Sequence, residues 1–206
     1  MQVQFFGIVL FLLAGFFGSQ STAVIDSGTV TGNTFQSSFF KFHYAFPQGW
    51  QAENDEIRTE KNRKFYDEQL EKAKAKAKSD TANSKTTIQV FTPYDLLIAS
   101  PNAISPEGKP PLPHVHIWAV ERFSLMENPG DNAKLAARIG KVLREPQEQT
   151  ISGHKFVRAD LVYHDDNYEA LFDTVSGKYL IFFEFRGRSE QEINELAKTV
   201  ESLKFD

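Results

Sequence analysis

Cysteine is absent from all 206 residues, which excludes disulfides, thiolate metal centres, cysteine nucleophiles and lipid attachment through an N-terminal cysteine. Charge is missing from the first 25 residues: the first ionisable side chain is Asp26 and the first basic one is Lys41. No apolar run reaches the roughly 20 residues that a membrane-spanning helix needs. The longest, residues 5–17, fits the apolar core of a secretory signal peptide, and Ser21-Thr22-Ala23 supplies the small residues at which such peptides are cut. The Lys or Arg that ordinarily precedes such a core is absent, so the terminal amine provides the positive charge. Residues 1–23 are expected to be a signal peptide, with an uncleaved membrane anchor as the alternative. An excess of basic residues is also lacking: 23 Lys and Arg against 27 Asp and Glu give a formal charge of −4. Nucleic acid is therefore excluded as a partner. The chain contains no Gly-x-Ser-x-Gly, His-Glu-x-x-His, phosphate loop or dinucleotide fingerprint, which removes the common enzyme classes.

What is present begins after the leader. Residues 24–38, rich in Ser, Thr and Gly, are read as a flexible tether. From Phe40 to Phe46 aromatic residues alternate with Lys41, His43 and Ala45, the period of a strand with one buried face. Residues 53–78 are expected to form a helix, with acidic residues at its start and lysines at its end. Its apolar stripe, Tyr66, Leu70, Ala73 and Ala77, is thin, so the helix should be peripheral. Strands are expected at 86–92, 94–100 and 114–122, with five prolines making 101–113 a loop. Asp131 is read as the cap of a helix that carries Leu135, Ile139, Val142 and Leu143 on one face and ends at Pro146. Strands at 155–163, 168–175 and 178–186 follow, joined by hairpin-type connections. Apolar groups on both faces of 179–185 mark a central strand. Ser189 and Glu192 form a capping box for a last amphipathic helix.

Hairpins of strands plus amphipathic helices that need a surface to cover give an α+β fold, an antiparallel sheet covered by helices on both faces. The run Phe40-Lys41-Phe42-His43-Tyr44-Ala45-Phe46-Pro47-Gln48-Gly49-Trp50 resembles the opening strand and turn of PsbP-like domains. The aromatic strand at 179–185, the final helix and the tail Ser202-Leu203-Lys204-Phe205 resemble their ending. The resemblance covers most of 39–206. It implies a PsbP-like α/β/α sandwich with a helical insertion at about 53–78, and a role in binding partners and not in catalysis.

The candidate chemistry is sparse. His114 and His116, two apart on a strand, point to one face together with Trp118, a spacing that can place two nitrogens on one metal. A third ligand would have to come from His43, His164, Asp165 or Asp166. The alternative reading is a strand entrance with two polar residues beside a proline-rich loop. His164-Asp165-Asp166 reads as a turn. Arg158, Asp160, Asp173 and Glu184 fall within the last three strands, where they either pair across strands or line a polar pocket. No catalytic residue and no cofactor is expected. The function expected is that of an exported, non-enzymatic binding or assembly module of the cell envelope or extracellular space. Its partner would be another envelope or secreted protein, and it would touch the membrane only through an uncleaved leader. The alternative is a small-molecule or metal-dependent enzyme built on the His114/His116 strand and the proline-rich loop.

Overall fold

The computed structural model describes residues 12–13, 25–79, 87–88, 93–104, 110–122, 126–138, 140–163 and 167–206. In chain order these form β1 (Leu12–Leu13), β2 (Thr29–Thr31), β3 (Thr34–Ser37), β4 (Phe42–Ala45), β5 (Gln51–Ala52), α1 (Asp55–Ser79), β6 (Thr87–Ile88), β7 (Tyr94–Ser100) and β8 (His114–Glu121). Then come α2 (Asp131–Ala136), β9 (Gly140–Ile151), β10 (His154–Tyr163), β11 (Tyr168–Ser176), β12 (Tyr179–Gly187), α3 (Glu190–Ala197), a 3₁₀ turn (Lys198–Ser202) and β13 (Lys204–Phe205). The signal-peptide reading of 1–23 lies outside the described residues, apart from the pairing of β1 with β6. Among the described residues no helix is long and apolar enough to cross a membrane.

Seven antiparallel strands form the main sheet in the order β5-β7-β8-β12-β11-β10-β9, and a four-stranded sheet has the order β13-β4-β3-β2. β12 sits in the middle of the seven, and residues 179–185 are all buried. Alternation sets its faces: Ile181, Phe183 and Phe185 join Phe35, Phe42, Tyr44, Ile193, Leu196 and Val200 in the main core. Leu180 and Phe182 turn the other way, into a smaller cluster with Val120, Met126, Ala133 and Leu171. The helical cover expected on both faces is only part of the cover seen. The small sheet and α3 share one face, whereas the other carries the short α2 beside a band of charged side chains. Ser189 caps α3 by accepting a hydrogen bond from Glu192 N–H, and the Glu192 carboxylate accepts one from Arg188 N–H.

Two expectations are corrected. Of the tether expected at 24–38, the described residues 25–38 are not one. β2 and β3 form a hairpin paired to β4, with Ile25 and Phe35 buried, because Val30 and Phe35 supply an inward face across the Gly32-Asn33 turn. The helix expected from Asp131 to Pro146 stops at Ala136, and β9 begins at Gly140. Val142 and Leu143 lie in this strand, which can hold Pro146 because β9 is an edge strand. Its register against β10 shifts on both sides of Asp160, leaving Glu145 and Pro146 opposite the single Ala159. Proline is tolerated at such edges and bulges, where its missing N–H leaves no ladder bond unmade.

The helix expected at 53–78 is present as α1, and a polar anchor seats its first turns. Arg58 is fully buried. Its guanidinium donates to the carbonyls of Glu53 (3.1 Å), Ser27 (3.4 Å) and Gly28 (3.2 Å) and to Asp55 Oδ1 (2.6 Å), and it lies over the Phe35 ring. Gly28 has φ 77°, and a Cβ there would come within 2.5 Å of Phe35 Cε2, so only glycine fits. One turn on, Asn62 donates to Asp95 O and accepts from Asp95 N–H, fixing α1 to β7. Arg58→Leu is expected to lower the free energy of unfolding by about 2 kcal/mol, since three buried carbonyls lose their donor. Urea unfolding measures the loss, and a stability within 0.5 kcal/mol of the parent, as at an ordinary surface site, would show that the anchor is not structural.

Candidate functional site

On the sheet face opposite α3, the strand register lines up ionisable side chains from β7, β8, β12 and β11. His116 stands opposite Glu184, and Arg186 opposite Glu169. His116 is engaged at both ring nitrogens: Nε2 lies 2.8 Å from Asp95 Oδ1, and Nδ1 lies 3.4 Å from Glu184 Oε2. Glu184 Oε1 accepts the Trp118 indole N–H at 2.7 Å. Arg186 approaches Glu184 Oε2 at 3.2 Å and Glu169 Oε2 at 2.7 Å, the latter as an ion pair whose angle falls outside hydrogen bonding. Tyr163 donates to the same Glu169 oxygen at 3.3 Å. At the other end, Lys61 of α1 pairs with buried Glu53. The result is a ribbon in which carboxylates and cations alternate from Glu53 and Lys61, through Asp95, His116, Glu184 and Arg186, to Glu169.

The electrostatics follow from this alternation. Burial alone would lower the pKa of His116, but Asp95 and Glu184 outweigh it and raise it to about 10, so the imidazolium persists at neutral pH. Burial would likewise raise that of Glu184, and Arg186, His116 and the Trp118 N–H override it, bringing it down to about 2. Glu169 shares Arg186 with Glu184 and is the more deeply enclosed. Burial dominates there and pushes it up to about 7. Burial and the nearby Arg186 hold His114 down at about 4 and therefore neutral, with Nδ1–H directed at Pro111 O, 3.3 Å away.

His114 and His116 thus share a face with Trp118, as their spacing predicts, with the His116 and Trp118 rings stacked at 6.4 Å. A protonated imidazole flanked by two carboxylates has no lone pair to offer a metal or a proton donor. His43 lies on the small sheet, where it pairs with Asp206. His164, Asp165 and Asp166 lie outside the described residues. Among the described residues no three His, Asp or Glu side chains are grouped to hold a metal ion. Asp160 binds Arg158 in a two-pronged pair and also Arg144. Of the four charged residues singled out in the last strands, Arg158, Asp160 and Glu184 are therefore paired. Asp173 is not.

No protein-family model matches the chain, and no curated protein matches it either. Among solved structures it is similar to the solution structure of cyanobacterial PsbP (CyanoP) from Synechocystis sp. PCC 6803. That similarity has a TM-score of 0.43 and 8% identity, and covers 87% of this chain and 96% of that one.

Asp95, Lys61, Arg186, Glu169 and Tyr163 are the ribbon members that motif reading misses. One signal was available for two of them. The two-residue turn Gly177-Lys178 fixes the β11–β12 register, and counting back from the Ser176–Tyr179 pair places Glu169 opposite Arg186. The meeting of His116 with Glu184 has no such local signal, because β8 and β12 are joined through four intervening elements.

Proposed function

We propose that this chain is an exported, non-enzymatic module that acts by binding another envelope or secreted protein. The observation that carries this reading is the mutual engagement of the ribbon. The side chains with catalytic or ligating capacity on this sheet face, His116 and Glu184 above all, are already bonded to one another and to Trp118 and Asp95. Such a ribbon fixes the register of strands and presents a rigid face. Among the described residues it leaves His116 and Glu184 bonded to each other and to their neighbours in place of a substrate. The uncharged leader supports export, and the net negative surface suits a protein partner better than an anionic polymer.

The test pairs metal content with partner capture. Full-length protein is purified without chelator beside the variants His114→Ala and His116→Gln, and a photo-crosslinking residue at exposed Phe65 is used in envelope extract. The expected result is the same substoichiometric metal content in all three proteins and one discrete crosslinked adduct with an envelope protein. One equivalent of zinc, copper or iron in the parent, lost in both variants, would overturn the binding reading in favour of a metal-dependent enzyme.

A further inference from the structure

Among the described residues Asp173 is the buried carboxylate that no cation pairs. It lies on β11 with 1% of its surface exposed, between Val157 of β10 and Phe182 of β12, beside the smaller apolar cluster. Its Oδ2 accepts the backbone N–H of Gly130 at 2.8 Å, whereas its Oδ1 is buried with no partner. Gly130 opens the segment that carries α2. Its φ is 88°, and a Cβ there would press on Val157 Cγ1 at 3.3 Å, so the backbone approaches the sheet as only glycine allows. The segment is otherwise held by Met126, Ala133 and Leu135 against Leu171, Leu180 and Phe182.

The charged groups around Asp173 offer it no cation. From the segment, Asp131 faces it with a like charge, Lys134 is bound to Asp131 at 2.9 Å, and Glu127 is exposed. From β10 and β9, Lys155 and Glu148 point into solvent and lie 4.0 Å from each other. On β11 and β12, Glu169 and Glu184 are committed to Arg186. An ionised Asp173 would therefore be a buried charge with one backbone hydrogen bond, an arrangement that is unfavourable by several kcal/mol unless the group is neutralised.

We propose that residues 126–138 form a pH-released flap: the neutral Asp173 carboxyl lets the flap lie on the sheet, and loss of its proton lifts the flap and uncovers Leu171, Leu180 and Phe182. Burial, and then the Asp131 charge, raise Asp173 to about 7 against the opposing pull of the Gly130 hydrogen bond. The sign is fixed by that direction. A carboxyl raised in the folded state favours the closed form at acidic pH and loses that contribution as pH rises through about 7. Release is local, because the main core on the other face of the sheet has no member in the segment.

Hydrogen–deuterium exchange of the full chain at pH 5 and pH 8, corrected for intrinsic exchange rates, reads the flap directly. Amides of 126–138 should lose protection at pH 8 by about tenfold or more beyond any change in β8 and β12, since one pKa unit corresponds to a factor of ten. Asp173→Asn should abolish the difference and keep the segment protected at both pH values. Asp131→Asn should move the midpoint to lower pH by removing the like charge, and it serves as the test if the first variant does not fold. Equal protection at both pH values, an unchanged profile in the variants, or a loss in 126–138 no greater than that in β8 and β12 would overturn the proposal.

Discussion

Phe183→Ala is expected to destabilise the fold by about 3–5 kcal/mol, the range for truncating a fully buried aromatic side chain. The ring has no exposed surface, and its centroid lies 5.5 Å from that of Phe42, 6.4 Å from Tyr44 and 5.8 Å from Phe156. These contacts tie the central strand to β4 of the small sheet and to β10. The cavity would thus open between the two sheets, where neither can collapse without breaking its own ladder. Val175→Ala, on the next strand at 36% exposure, is the control and should stay within about 0.5 kcal/mol of the parent. Urea unfolding with an unchanged denaturant slope measures both. A loss below about 1 kcal/mol for Phe183→Ala would place that ring outside the core.

Period two made this strand readable. Residues 179–185 alternate two apolar faces, and only a strand covered on both sides can bury both. The same logic located β10, β11 and the β11–β12 hairpin, and the capping box located α3. It failed at β9, where Leu135, Ile139, Val142 and Leu143 fit a helical stripe as well as they fit a short helix followed by a strand. Gly140 and the edge position decided in favour of the strand. It failed again at 24–38, because small polar residues outnumber the two inward side chains, Val30 and Phe35, that make β2 and β3 a hairpin. Arg58 was illegible for a different reason. A charged residue on a charged helix looks solvated, and its burial depends on carbonyls of Ser27 and Gly28, some 30 residues earlier. The ribbon lies between these cases: His114 and His116 were visible as a pair, but the partners that define His116 come from β7 and β12, and long-range register is not written in local pattern.

Glu184→Ala should cost about 2–3 kcal/mol at pH 6, because it leaves the half-buried His116 and Arg186 side by side as like charges and strips the Trp118 N–H of its acceptor. The pH profile separates this from a simple packing loss. In the parent, Glu184 is lowered to about 2, so its contribution is present above its unfolded value near 4.5 and lost as pH falls through about 2. His116 is raised to about 10, so its contribution is complete below its unfolded value near 6.5 and lost as pH rises through about 10. Glu169 is raised to about 7 and gives up stability as pH climbs from 4.5 through that value. Together these place the optimum of the ribbon in mildly acidic solution, near about pH 5. In Glu184→Ala, Arg186 serves Glu169 alone, so the loss between pH 5 and 7 should shrink. The alkaline limb should be smaller and end at lower pH, because His116 keeps only Asp95. Glu184→Gln, which retains the volume and an acceptor for Trp118, should lose less stability yet show the same two changes. Thermal unfolding across pH 3 to 10 reads all three proteins, and a variant profile parallel to that of the parent would mean that the ribbon does not act as one coupled set.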